Sequence, residues 1–270
     1  MAEKTGIAWT DSTFNPWIGC TKVGPGCDNC YAEATDSRFY GSAHWGPGRA
    51  RLLTKDSYWN KPISWNADAA AKGVRRRVFC ASQADVFDNE VPTEWRDRLW
   101  ALIRTTPWLD WQLVTKRVGN VAKMLPQDWG SGYPNVWILA TVVTQKEADR
   151  DIPKLLAIPA AVRGLSMEPL IEAVRLPEGS LGSEGISWVI TGGESLPDAP
   201  TGARPFDLAW AESLKEQAEA AGAAFFMKQT GHNPKDNGAI YTVKGKGETP
   251  EAWPENLRVR NFPTPLSLVE

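Results

Sequence analysis

Cys20-Thr-Lys-Val-Gly-Pro-Gly-Cys27-Asp-Asn-Cys30-Tyr31-Ala32 places three of the chain's four cysteines within eleven residues, in the pattern C-x6-C-x2-C. A strand-like apolar run precedes the first cysteine and a helical pattern follows the last, so the stretch reads as strand, loop and helix. Gly24, Pro25 and Gly26 are breakers that force the loop and let its backbone wrap closely. Thiolates at this density point to a metal. Three can hold three corners of a tetrahedral zinc site or three irons of a cubic [4Fe-4S] cluster. The two histidines, His44 and His232, are not at the usual ligand spacing from the cysteines. A three-thiolate site with an open corner favours a cluster whose fourth iron is left for a ligand. A disulfide with a spare thiol, or small buried residues in a turn, are the plainer alternatives.

Outward from this stretch the chain is rhythmic. Ile7 to Cys20 reads as an extended first element and residues 31 to 40 as a helix. Apolar strands then recur at Arg77–Ser82, Asp110–Thr115, Asn135–Thr141, Ala161–Ser166, Ile186–Thr191 and Ala223–Met227. Helical patterns lie between them at 94–104, 118–125, 145–157 (broken at Pro153) and 206–221. Seven strands alternating with helices or crossovers predict a parallel sheet with helices outside: an α/β fold, a partial (β/α) barrel of about six to seven strands. Residues 1–231 are expected to form this domain, with 232–270 a loop-rich C-terminal extension.

Most strands end in polar or charged residues: Cys20, Ser82 to Asp85, Lys116-Arg117, Thr141, Glu168, Glu194 and Lys228. Ligands of parallel α/β folds sit at the carboxyl ends of strands, so these residues are the candidate site. Gly192-Gly193 beside Glu194 is weak by itself, since glycine pairs more often just make turns. Cys80, inside a strand, reads as a small core residue. Residues 41–62 form a Gly- and Pro-broken loop insertion in which Arg49, Arg51, Lys55 and Lys61 interleave with Trp45, Tyr58 and Trp59. Basic and aromatic residues together can track a phosphate backbone and stack bases. The competing expectation is a solvated loop whose aromatics cap the barrel.

Composition bounds the rest. At 270 residues the chain can hold one large domain, and an α/β barrel is about this size. The net charge of −2 and pI of about 5.9 announce no polyanion partner globally. No apolar run is long enough to span a bilayer, the first residues are not a signal peptide, and few, clustered cysteines suit a reducing cytosol. The expected location is therefore cytoplasmic. Tryptophan supplies 14 of the 27 aromatics, for which core or rim packing is the default use.

The motifs Trp9-Thr-Asp-Ser-Thr-Phe-Asn-Pro-Trp17, Cys30-Tyr-Ala32, Leu113-Val-Thr-Lys-Arg117, Leu165-Ser-Met-Glu-Pro169, Trp188-Val-Ile-Thr-Gly-Gly-Glu-Ser195 and Phe225-Phe-Met-Lys-Gln229 carry a resemblance over roughly Ile7 to Gly231. They resemble a family encoded by bacteriophages and prophages that is similar to radical S-adenosylmethionine (SAM) enzymes, with spore photoproduct lyase among the nearer relatives. The first cysteine gap of six departs from the usual C-x3-C-x2-C. The resemblance implies a radical-SAM-like partial barrel in which Cys20, Cys27 and Cys30 bind three irons of a [4Fe-4S] cluster and SAM binds the fourth. It implies a cation, Lys116 or Arg117, for the SAM carboxylate. Glu168 or Glu194 would take the SAM ammonium or ribose hydroxyls, and Ser82, Asp85, Thr141, Gly192 and Gly193 are further cofactor-binding candidates. A phage setting would place the protein in the host cytoplasm. Its partners would be nucleic acid, through Arg49, Arg51 and Lys55, as a substrate to modify or repair, or a three-Cys-motif partner protein. The alternative is a non-catalytic zinc or iron–sulfur protein that binds nucleic acid or a phage partner.

Overall fold

Asn15-Pro16 breaks the first strand, because proline has no N–H for a ladder. Two short pieces form instead. β1, Ser12–Thr13, runs parallel to the next sheet strand, while Trp17–Ile18 pairs antiparallel with Leu52–Leu53. The computed structural model describes residues 5–196 and 200–264, so the last residues of the expected extension, 265–270, lie outside it. The other sheet strands are β2 (Arg76–Cys80), β3 (Leu109–Thr115), β4 (Val136–Thr141), β5 (Val162–Met167), β6 (Trp188–Gly192) and β7 (Ala224–Gln229). Besides a single helical turn at Asp56–Trp59, the helices are α1 (Tyr31–Tyr40), α2 (Lys61–Lys72), α3 (Thr93–Arg104), α4 (Val118–Met124), α5 (Gln145–Leu156) and α6 (Leu208–Ala220).

The seven strands hydrogen-bond in sequence order from β1 to β7, and the pairs β1–β2, β2–β3, β5–β6 and β6–β7 are parallel. Sequential parallel order is that of a (β/α) barrel wall, here with β1 and β7 as its two ends. The fold is thus α/β with a seven-stranded parallel sheet, half a barrel in its strand order. By internal contacts the chain divides into two compact units. Among the described residues, one runs up to Leu139 and includes Ile158–Ala161; the other comprises Ala140–Ala157 and residues 162–264.

In the first unit β3 is buried almost throughout, which is why it reads as a continuous apolar run rather than an alternation. Phe14, Trp17, Trp100 and Trp111 are among its fully buried side chains, so tryptophan serves the core as its abundance suggests. In the second unit Trp188, Phe225 and Phe226 do the same. Beyond β7, Trp253 and Leu257 are buried, Met227 N–H donates to the Val259 carbonyl at 2.8 Å, and Phe226 bridges Arg260 antiparallel. The segment after Gly231, expected as loop, therefore covers the β7 edge.

Two expectations are corrected. The insertion is not loop up to residue 62: a helical turn forms at Asp56–Trp59, and α2 starts at Lys61 with proline in its first turn, buries Trp65 and Ala69, and stops at Gly73 with φ +65°. Nor does Pro153 break its helix. α5 runs through it, because Ile152 and Leu155 continue the buried face, while Thr144 at the N-cap accepts from Glu147 N–H. No helix among the described residues is long and apolar enough to cross a membrane.

Candidate functional site

In the first unit the chain leaves β1 and Trp17–Ile18 and comes back alongside the end of β2: Gly19 N–H donates to the Gln83 carbonyl at 3.0 Å and Gly19 bridges Ala84 in parallel. Cys20 is thus delivered to the carboxyl ends of the strands. Gly19 has φ +113°, and a Cβ there would meet the His44 carbonyl at 2.4 Å, so only glycine allows this approach. The insertion closes over the same point. Gly46 N–H donates to the Cys20 carbonyl at 2.9 Å, and His44 Nδ1 lies 2.8 Å from Oδ1 of buried Asp36.

After Cys20 the loop tightens into a 3-10 turn at Pro25–Cys27, and Cys30 is the N-cap of α1. Tyr31 then donates its hydroxyl to the Ser82 carbonyl at 2.8 Å. Ser82 Oγ in turn lies 3.0 Å from the Asn15 amide nitrogen. Cys20 and Cys30 are half-buried, Cys27 is buried, and all three are free thiols. Cys80 is free and fully buried, as its strand position implies.

A charged network surrounds Cys20. Asp85 is buried and accepts from Thr115 Oγ1 (2.8 Å), Lys116 N–H (3.1 Å) and Arg117 Nη1 (3.2 Å). The same Arg117 Nη1 lies 3.2 Å from Cys20 Sγ, and its Nη2 donates to the Thr21 carbonyl at 2.6 Å. Arg51, whose side chain is wholly buried, pairs with Asp88 at 2.8 Å and donates to Thr21 Oγ1 at 2.8 Å. Arg96 of α3 holds the connecting loop by donating to the Val86 and Asp88 carbonyls at 3.0 and 3.1 Å.

Burial, reinforced by Asp85, pushes the Cys20 thiol up to about 12, with Arg117 opposing. Arg117 is held above its ordinary value by Asp85 and by Cys20 although burial works the other way. Burial alone raises the Cys80 thiol. Lys116 engages Asp85 through its backbone N–H; no hydrogen bond or ion pair of its ammonium is seen among the described residues.

Arg51 is therefore corrected as a phosphate contact. Besides Asp88 it reaches Glu90 and the carbonyls of His44, Gly46 and Arg49, and it presents nothing to solvent. Trp45 and Trp59 are buried, and Tyr58 spends its hydroxyl on Thr13 and Asn15, so these rings are taken up in packing rather than offered to bases. Arg49 and Lys55 stay exposed.

In the second unit Thr141 is buried at the end of β4. Glu168 receives Lys228 Nζ, and Gln229 Nε2 at 3.0 Å. Glu194 is buried and accepts from Arg204 N–H at 2.9 Å and Nη2 at 2.5 Å. Gly192 and Gly193 pack on β7: a Cβ on Gly193 would meet the Thr230 carbonyl at 2.2 Å. Close strand packing accounts for that glycine pair.

The candidates thus fall into separate groups: Cys20, Asp85 and Arg117 in one unit, Glu168 with Lys228, and Glu194 with Arg204, in the other. Sequence reading missed Thr21, Asp88 and Arg204; the Asp85-Val-Phe-Asp88 repeat was the available signal for Asp88. No group of three or more His, Cys, Asp or Glu side chains among the described residues is arranged to hold a metal ion. The three thiols suit a cluster in kind, free and within one loop. The family model described as "Protein of unknown function (DUF5131)" matches residues 4–256. No curated protein and no solved structure matches the chain.

Proposed function

The chain belongs to the DUF5131 family, and for it we propose a radical SAM-type iron–sulfur enzyme. The observation that supports this reading is one loop with three free thiols at the strand ends, its first sulfur met by a buried guanidinium. Cys20, Cys27 and Cys30 would hold the cluster, which when bound with SAM supplies a 5′-deoxyadenosyl radical for hydrogen abstraction. A bound metal would take the place of the proton that burial otherwise keeps on Cys20. Lys116, whose ammonium has no hydrogen bond or ion pair among the described residues, would be the cation for the SAM carboxylate. Nucleic acid as substrate is left with Arg49 and Lys55 for phosphate contacts. A protein partner would meet the exposed Tyr31, Phe39 and Tyr40 of α1.

Anaerobic reconstitution tests the reading. The expected product carries about four irons and four sulfides per chain, and each of Cys20→Ala, Cys27→Ala and Cys30→Ala bleaches it while Cys80→Ala does not. Incubation with SAM and dithionite should yield 5′-deoxyadenosine above the cysteine variants. Stoichiometric zinc without iron under these conditions would reject the cluster, and iron without 5′-deoxyadenosine would reject the enzyme.

A further inference from the structure

Lys116 and Arg117 are adjacent cations at the end of β3, and their surroundings separate them. Arg117 is 8% exposed and locked by its acceptors: Cys20 Sγ and Asp85 at 3.2 Å, the Thr21 carbonyl at 2.6 Å, and Asp88 at 3.8 Å. Swinging it out to a ligand's carboxylate would leave Asp85 buried without its cation, a costly outcome, while Asp88 would keep Arg51. It therefore serves the protein, and one of its N–H groups is aimed at a cysteine sulfur. Resting on the cluster reading above, we propose that Arg117 is a positioning residue that donates a charge-assisted hydrogen bond to the Cys20 sulfur and so raises the reduction potential of the cluster bound there.

A donor on a ligating sulfur draws negative charge from the thiolate, which makes an added electron easier to accept, and hydrogen bonds to sulfur are among the levers that set cluster potentials. Exclusion of water strengthens the bond. Asp85 and Asp88 offset most of the guanidinium's net charge, so its effect on the sulfur comes chiefly from the aimed N–H. Thr21, gripped through its carbonyl by Arg117 and through its hydroxyl by Arg51, keeps the sulfur in line with that donor.

The test is an EPR-monitored redox titration of the reconstituted full chain, comparing wild type with Arg117→Lys and Lys228→Met. Lys228 is likewise a largely buried cation paired with a carboxylate, but it belongs to the second unit and its ammonium meets Glu168 oxygens rather than a cysteine sulfur. Arg117→Lys is expected to lower the reduced-to-oxidised ratio at fixed potential about tenfold, equivalent to about 59 mV for one electron; Lys228→Met should leave it in place. An unmoved potential in Arg117→Lys, or an equal shift in both variants, overturns the proposal. If Arg117→Lys does not fold, pulsed EPR on reduced wild type carrying 15N-labelled arginine side chains decides. A guanidinium nitrogen coupled to the cluster spin supports the assignment, and its absence overturns it. A wild type without iron would bring down the cluster reading and this inference together, whereas iron with an unmoved potential brings down this inference alone.

Discussion

The two units arrange the charges at their strand ends differently. In the first, Arg51, Asp85, Asp88 and Arg117 are 0, 7, 3 and 8% exposed and form one connected set. In the second, the strand-end ion pairs seen among the described residues are Glu168 with Lys228 and Glu194 with Arg204, and each keeps one partner 19 or 25% exposed. A couple fastens one strand end to another or to the loop that follows. The connected set fastens something else: both of its guanidiniums also reach Thr21, and one reaches Cys20. Taking four charges out of water is expensive and apolar residues would fill the space as well. What the first unit gains is a fixed path for the cysteine loop.

That difference is broken most directly at Arg51. Arg51→Met should leave Asp88 buried without one of its two cations and cost about 3–5 kcal/mol in denaturant unfolding. Iron uptake on reconstitution should fall with it. Arg51→Met and Arg117→Met should also couple by about 0.5–3 kcal/mol in a double-mutant cycle, because they share Asp88 and Thr21. Strict additivity would show that the four charges are not one network.

The sheet was legible because burial leaves a pattern in each strand. Seven apolar runs with polar ends give the seven strands, and β3 and β4 lie within two residues of expectation. The Cys20 loop and α1 were legible through Gly24-Pro25-Gly26 and the helix formers after Cys30. Helix α2 was in the sequence too, between Pro62 and Gly73, but proline near tryptophans and lysines looked like more loop. The network was hidden for a different reason. Arg51 and Asp88 are 37 residues apart, and an arginine among glycines and tryptophans looks the same whether it faces phosphate or a buried carboxylate. Only the fold, which lays 44–51 over Gly19–Thr21, decides.

A smaller loss is expected in the second unit. Lys228→Met removes a charged donor from a half-buried carboxylate that keeps Gln229, and should cost about 1–3 kcal/mol. Glu168→Gln retains an acceptor and should cost less than Lys228→Met. Iron uptake, measured alongside the unfolding midpoint, should be unaffected by either variant. A cost for Lys228→Met equal to that of Arg51→Met would erase the distinction between couple and network.

The smallest effect concerns the metal-free loop at neutral pH, where it should be nil. The Cys20 thiol is pushed up to about 12, first by burial and then by Asp85, from an ordinary value near 9. An acid held above its unfolded value binds its proton more tightly in the native state, so its contribution to stability is fully present below about pH 9. Above that the unfolded chain gives up the proton while the folded one keeps it, and stability falls steadily until about pH 12, where both forms are ionised. The thiolate is the nucleophile, so Cys20 in the metal-free protein should be alkylated slowly by iodoacetamide at pH 8, and its rate should still be climbing above pH 10. Mass spectrometry of peptides from a Cys27→Ser, Cys30→Ser background isolates the site, with Cys80 as the fully buried comparison. A rate that levels off near pH 9 would mean that the loop opens in solution and that the network does not hold Cys20 where the fold places it.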